Sequence, residues 1–157
     1  MELTIGAKAP DFVLEGSGGQ KVRLSDYRGK RVVLYFYPKD MTASCTDEAC
    51  QFRDAHASFS TLNTVILGVS TDPASRHDKF IAKYELPFTL LSDEDHQVSE
   101  LYGVWQLKKL YGKEYMGIVR STFLIDEEGI LVKEWRKVKV KGHIDDALAF
   151  IQTHMEK

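Results

Sequence analysis

Cys45 and Cys50 are the only thiols in this chain of 157 residues, and they lie five positions apart. They follow an apolar run, Val32 to Tyr37, that breaks at Pro38 and leads into a helix-forming stretch reaching about Ser60. The nucleophilic form of cysteine is the thiolate, and an ordinary thiol with a pKa near 8.5 is only about 3% ionised at pH 7. A helix start shifts that balance, because its unpaired N–H groups and the positive end of the helix dipole favour an anion. A neighbouring guanidinium would add to the effect. Cys45 falls at the helix start, whereas Cys50 lies a turn and a half inside. The asymmetry casts Cys45 as the attacking thiol and Cys50 as the resolving one. In an intact helix, residues five apart have Cα atoms about 8.6 Å apart, beyond the roughly 7 Å that a disulfide allows. The pair can therefore join only if the first turns unwind, which predicts a redox cycle containing a local folding step.

The residues alone leave plainer readings open. Cys50 could be a small buried apolar residue, the usual fate of a reduced cysteine, and Cys45 could sit at a helix start without a chemical duty. Zinc is disfavoured, since two cysteines with no nearby Cys or His partners do not make four ligands. The histidines, His56, His77, His96, His143 and His154, are scattered through the chain. No Cys-x-x-Cys pair and no glycine-rich phosphate loop is present. The stretch Lys133, Arg136, Lys137, Lys139, Lys141 reads as a solvated strand face and loop before it reads as a surface for an acidic partner.

The elements that must position the thiols follow from pattern. Phe12–Glu15 and Lys21–Leu24 around Gly16-Ser-Gly-Gly19 predict an N-terminal β-hairpin after an irregular arm, Met1 to Pro10. Ser25 to Gly29 reads as a capped helical turn. Arg31–Tyr37 and Thr64–Ser70 read as central strands covered on both faces. Residues 45–60 form a helix with Ala49, Phe52, His56 and Phe59 on one stripe. Asp72-Pro73 opens a second helix, with Asp72 as cap and Pro73 in the first turn. A strand at Phe88–Leu91 and a short helix at Gln97–Tyr102 come next, the latter behind the acidic cap Ser92–Asp95. Gly103–Gly117 reads as a long packed loop. Ile118–Asp126 and Ile130–Lys137 form a hairpin, and a last helix follows Gly142. Alternating strands and helices followed by an antiparallel pair imply a single α/β domain over residues 1–157, with a mixed central sheet flanked by helices on both faces.

Composition sets outer limits. With 43% hydrophobic and 28% charged residues, the chain has the make-up of an ordinary globular protein. A net charge of -2 offers no electrostatic case for nucleic acid or an anionic membrane. No apolar run approaches the roughly 20 residues of a membrane helix, and the N-terminus has no signal-peptide pattern. The expected location is the cytoplasm, where a cysteine pair is more often catalytic or redox-active than structural.

Pro38-Lys-Asp-Met-Thr42-Ala-Ser-Cys45, followed by Cys50, resembles the peroxiredoxin pattern Pro-x-x-x-Thr-x-x-Cys, and most closely its Bcp/PrxQ subfamily. Ala9-Pro-Asp-Phe12, Leu24-Ser-Asp-Tyr27, Gly68-Val-Ser70, Leu86-Pro-Phe88 and Arg120-Ser-Thr-Phe-Leu-Ile-Asp126 fall where that subfamily has them. The resemblance implies a thioredoxin-like fold and reduction of hydrogen peroxide and organic hydroperoxides. It implies Cys45 as the peroxidatic nucleophile and Thr42 as a hydrogen-bonding partner of the peroxide. It further implies Pro38 as a shield against water, Arg120 as the cation that stabilises thiolate and transition state, and Cys50 as the resolving cysteine. Glu48 also matches the subfamily. The implied partner is thioredoxin or a similar dithiol, relatives of this type are often monomers, and no metal, haem or flavin is called for. Two readings compete: a non-enzymatic redox switch using the same disulfide, and a general disulfide oxidoreductase. One departure stands out. Many relatives have Pro-Gly where this chain has Ala43-Ser44, so a Cβ and a hydroxyl stand beside the nucleophile.

Overall fold

Six successive apolar residues, Val32 to Tyr37, are stable only in a strand covered on both faces. The computed structural model, which describes residues 3–155, places them so. Strand β3 (Arg31–Phe36) lies between β4 (Thr64–Ser70), which runs parallel to it, and β8 (Ser121–Ile125), which runs antiparallel. On the β4 side the sheet continues through β5 (Thr89–Ser92) to the N-terminal hairpin of β1 (Val13–Gly16) and β2 (Lys21–Arg23). On the other side β9 (Leu131–Arg136) closes it, giving the order β2-β1-β5-β4-β3-β8-β9. The mixed sheet and N-terminal hairpin are as expected.

The period-two alternation of β3 divides the core. Val32, Leu34 and Phe36 join one cluster with Val98 and Tyr102, from and just beyond the short helix α3 (Gln97–Leu101). Val33, Tyr35 and Tyr37 join the other, beneath α1 (Ala43–Thr61), α2 (Ala74–Tyr84) and α4 (His143–His154). Phe52 and Phe59 of α1, Phe80 of α2 and Ile151 of α4 are fully buried there. Of the expected N-terminal arm, residues 1 and 2 lie outside the described residues. The rest docks on the turn before β9, with Lys8 bridged to Ile130. Among the described residues no helix is long and apolar enough to cross a membrane.

Three expectations need correction. The stretch Gly103–Gly117 is not a packed loop but an antiparallel hairpin, β6 (Trp105–Leu110) and β7 (Lys113–Ile118), standing apart from the main sheet. Its two-residue turn places Tyr111 and Gly112 at positive φ, as a type I′ turn requires. It is also not packed, since Leu107, Leu110, Tyr111 and Met116 are exposed. Second, the strand expected from Ile118 to Asp126 is broken: Ile118 ends β7, and Val119 and Arg120 cross to β8. Third, Asp72 does not cap α2. Pro73 takes the cap position and no side chain caps that end. Asp72 points instead at the segment after β3, accepting from the Asp40 N–H at 2.8 Å.

Candidate active site

The site forms where β3 stops and α1 starts. Pro38 is half-buried and ends the strand run; the chain then turns through Lys39, Asp40 and Met41, whose φ is +64°. Thr42 adopts the extended conformation of an N-cap, but its hydroxyl donates to the Lys39 carbonyl at 2.8 Å instead of to the helix. The first helical hydrogen bond runs from the Thr46 N–H to the Thr42 carbonyl. The N–H groups of residues 43–45 thus precede the ladder, as at any helix start. Cys45 is the third helical residue and is 2% exposed.

Arg120 reaches this thiol from across the sheet. Because β3 and β8 are antiparallel with Phe36 opposite Ser121, the residue before β8 emerges beside the end of β3. One guanidinium nitrogen of Arg120, Nη2, donates to Cys45 Sγ at 3.3 Å. The other, Nη1, donates to Glu48 Oε1 at 2.6 Å. Glu48, one turn along α1 from Cys45, is fully buried. Burial acts unequally on this ion pair. It pushes the Glu48 carboxyl up to about 7, and Arg120 only partly opposes that. On Arg120, burial works against the charge, but Glu48 and Cys45 outweigh it and hold the guanidinium more firmly protonated than usual. A fixed cation thus lies beside a buried sulfur at a helix start.

The floor of the site is aromatic. The Tyr35 ring stacks on Tyr37 and on Phe52, with centroids 5.4 and 4.6 Å apart. Gly68 on the neighbouring strand makes room for it, since a Cβ there would come within 2.9 Å of Tyr35 Cζ and 2.7 Å of Leu90 Cδ2. The Tyr35 hydroxyl and Glu48 Oε2 are both buried, with no hydrogen-bond partner among the described residues. His143, at the start of α4, is buried against Thr122, its Nε2 lying 2.8 Å from Thr122 Oγ1. Burial lowers its pKa to about 4 despite Asp146, and Arg120 pushes the same way.

Of the residues singled out in the sequence, Cys45, Glu48 and Arg120 are in direct contact. Thr42 and Pro38 lie on the preceding loop, with the Thr42 hydroxyl turned to the Lys39 carbonyl. Cys50 is apart: it is half-buried and lines a shallow depression with Ala43, Ser44, Thr46 and Asp47. Both thiols are free, and α1 is continuous through them. Sequence reasoning missed Tyr35, Asp40 and His77. Asp40 falls at an unspecified position of the Pro-x-x-x-Thr-x-x-Cys pattern, which gives it no role.

The geometry has counterparts. Residues 5–134 match the model of the AhpC/TSA family. Peroxiredoxin Bcp of Bacillus subtilis is 59% identical over 157 residues, covering all of both chains. A Xylella fastidiosa PrxQ mutant superposes with a TM-score of 0.93 at 37% identity, over 99% of each chain. A Xanthomonas campestris bacterioferritin comigratory protein, studied for alkyl peroxide reduction activity, superposes with a TM-score of 0.88 at 42% identity, over 92% of each. With the thioredoxin-like sheet, the buried Cys45 and its arginine in place, the chain belongs to the AhpC/TSA family and, within it, to the Bcp/PrxQ peroxiredoxins, which are thiol peroxidases.

Proposed function

We propose that the chain reduces hydrogen peroxide and organic hydroperoxides through Cys45, with Cys50 as the resolving thiol in the same chain. The observation that carries this reading is the 3.3 Å contact between Arg120 and the buried Cys45 sulfur at the start of α1. The Cys45 thiolate attacks one peroxide oxygen. The O–O bond breaks, and the departing oxygen takes a proton from solvent and leaves as water or alcohol. Cys45 becomes a sulfenic acid. Arg120 faces the place where negative charge develops, so it stabilises the transition state as well as the thiolate. Pro38, half-buried in the turn between β3 and α1, is assigned to shield the thiolate from water. The Thr42 hydroxyl proton is committed to Lys39, so its oxygen is free to accept from the O–H of the peroxide and orient it.

Resolution needs movement. Cys45 and Cys50 lie on one continuous helix, at a spacing that forbids a disulfide. The first turns of α1 unwind, the Cys50 thiolate attacks the sulfenic sulfur, hydroxide leaves, and a Cys45–Cys50 disulfide forms. A dithiol protein of the thioredoxin type then exchanges with that disulfide and returns both thiols. Since both cysteines belong to one chain, the cycle closes in a monomer, and a reducing cytoplasm supplies the dithiol. The 157 residues act as one domain. The alkyl peroxide reduction activity of the Xanthomonas relative supports organic hydroperoxides as substrates.

The test is peroxide consumption with excess thioredoxin system for wild type, Cys45→Ser and Cys50→Ser. Many turnovers are expected for wild type, none for Cys45→Ser, and one turnover or slow cycling for Cys50→Ser. Sustained turnover by Cys45→Ser overturns the reading, and a wild type that stops after one turnover makes the chain a redox switch instead. Amide exchange over residues 42–54, compared between reduced and oxidised protein, tests the unwinding step. Faster exchange in the oxidised form is expected.

A further inference from the structure

Behind the loop that carries Pro38 and Thr42 lies a buried polar chain that the cysteine chemistry does not use. The Tyr37 hydroxyl donates to Asp40 Oδ1 at 2.5 Å. His77 Nδ1 is 2.6 Å from Asp40 Oδ2, and His77 Nε2 is 2.9 Å from the Leu91 carbonyl oxygen. Asp40 and His77 are fully buried and Tyr37 is 1% exposed. The proton count follows from the partners. A carbonyl only accepts, so Nε2 carries a proton, and the short Nδ1–Oδ2 contact holds a second. Both carboxylate oxygens and both ring nitrogens thus have partners, which suits a site without water. The Asp40 N–H donates in turn to Asp72 Oδ2 at 2.8 Å, and the same oxygen accepts from the Ser70 hydroxyl at 2.7 Å.

These bonds have one geometric effect. They tie a single loop residue to α2 through His77, to β5 through Leu91, and to the end of β4 through Ser70 and Asp72. Asp40 sits between Pro38 and Thr42 and next to Met41, whose left-handed backbone must be held from outside in a residue with a side chain. None of the anchors belongs to α1.

We propose that Asp40 and His77, supported by Tyr37, are positioning residues for the peroxide reaction: they fix the 38–42 loop independently of α1, so that Thr42 and Pro38 hold the pocket shape while the first turn of the helix unwinds and re-forms. The inference rests on the peroxidase reading above and extends it to residues that touch neither cysteine nor peroxide.

The test separates the two chemical steps. Stopped-flow mixing of reduced protein with hydrogen peroxide gives a second-order rate for Cys45 oxidation and a first-order rate for disulfide formation. His77→Leu is expected to slow oxidation by about 10- to 100-fold, the range for a small misplacement of reacting groups, with disulfide formation changed by less than about twofold. His77→Asn, whose amide nitrogen replaces Nδ1 against Asp40, is expected to recover most of the loss. Tyr37→Phe, which removes one hydroxyl and little volume, is expected to show a smaller loss in the same step and decides the matter if His77→Leu does not fold. Folded variants that oxidise at the wild-type rate overturn the inference. Variants in which both steps fall in parallel with melting temperature also overturn it, leaving only a structural role. Failure of wild type to react with peroxide removes the peroxidase reading and this inference with it, and so is distinguishable from failure of the variants alone.

Discussion

Cys45 and Cys50 share a helix and a residue type, yet the molecule treats them in opposite ways. Cys45 is 2% exposed, faces the core cluster beneath α1, and receives a hydrogen bond from Arg120. Cys50 is half-buried beside a shallow depression. Arg53, three residues further along α1, directs its donors to Asp54 at 3.0 Å and the Tyr84 carbonyl at 2.9 Å. The difference shows that helix position alone does not make a nucleophile. What distinguishes Cys45 is a cation delivered by a distant strand and a pocket closed by burial. In the proposed cycle Cys50 needs neither, since its target there is a sulfenic acid that comes to it once the helix start opens.

The same contrast runs along α1. Past Cys50 the helix is anchored by Phe52 and Phe59, both fully buried, whereas its first turns are held by Cys45, Glu48 and Ala49. If that division holds, Phe52→Ala should cost about 3–5 kcal/mol of global stability, read from denaturant midpoints; a loss confined to exchange near residue 45 would erase the distinction. Arg120→Leu should slow Cys45 oxidation about 10²- to 10³-fold, the worth of one well-placed transition-state donor. Alkylation of Cys50 by a neutral reagent should stay unchanged, and equal effects on both thiols would break the comparison.

Glu48 allows a sharper test through pH. Its carboxyl is raised from 4.5 to about 7 in the folded protein because burial outweighs the pull of Arg120. The folded state therefore keeps a proton there that the unfolded chain has released. The stability this contributes is present below pH 4.5 and is lost as pH rises through about 7, with an upper bound of about 3 kcal/mol. Glu48→Gln should gain stability relative to wild type across that window, measured as the difference between their denaturation midpoints; a flat difference would count against a buried, proton-retaining Glu48. His143 works in the other direction. Its folded value of about 4 lies below its ordinary 6.5, so its contribution is present above pH 6.5 and lost as pH falls through about 4. The smallest effect is expected at Ser44, which is exposed at the helix start on the Cys50 side. Ser44→Gly should change the peroxide rate by less than about threefold, roughly the weight of an exposed substitution. A larger change would mean that this departure from the relatives shapes the pocket after all.

Much of this was legible in the chain. The uncharged runs at β3 and β4 could belong only to a doubly covered sheet, and the break at Pro38 marked the edge of the site. Position along the helix separated the two cysteines, one at its start and one a turn and a half inside. What stayed hidden depended on partners brought together by the fold. Arg120 came through family resemblance, because nothing local links it to a thiol 75 residues earlier. Asp72 looked like a helix cap because Asp-Pro is a strong local signal, but the unpaired Asp40 N–H competed for it and won. His77 looked like one scattered histidine among five, since its partner lies 37 residues away. The β6–β7 hairpin was missed because a Tyr111-Gly112 turn is a weaker cue than Asn-Gly, and because its exposed apolar residues imitate a packed segment.

The pairing of β3 with β8 has a consequence for the chain as it is made. During synthesis Cys45 leaves the ribosome well before Arg120, and strands that pair across such a separation meet only once the later one has arrived. Until β8 docks, the thiol has no arginine beside it. In the peroxidase cycle proposed above, completion of the sheet is thus also the moment of activation, since an unfinished chain carries Cys45 without the arginine that the cycle assigns to it.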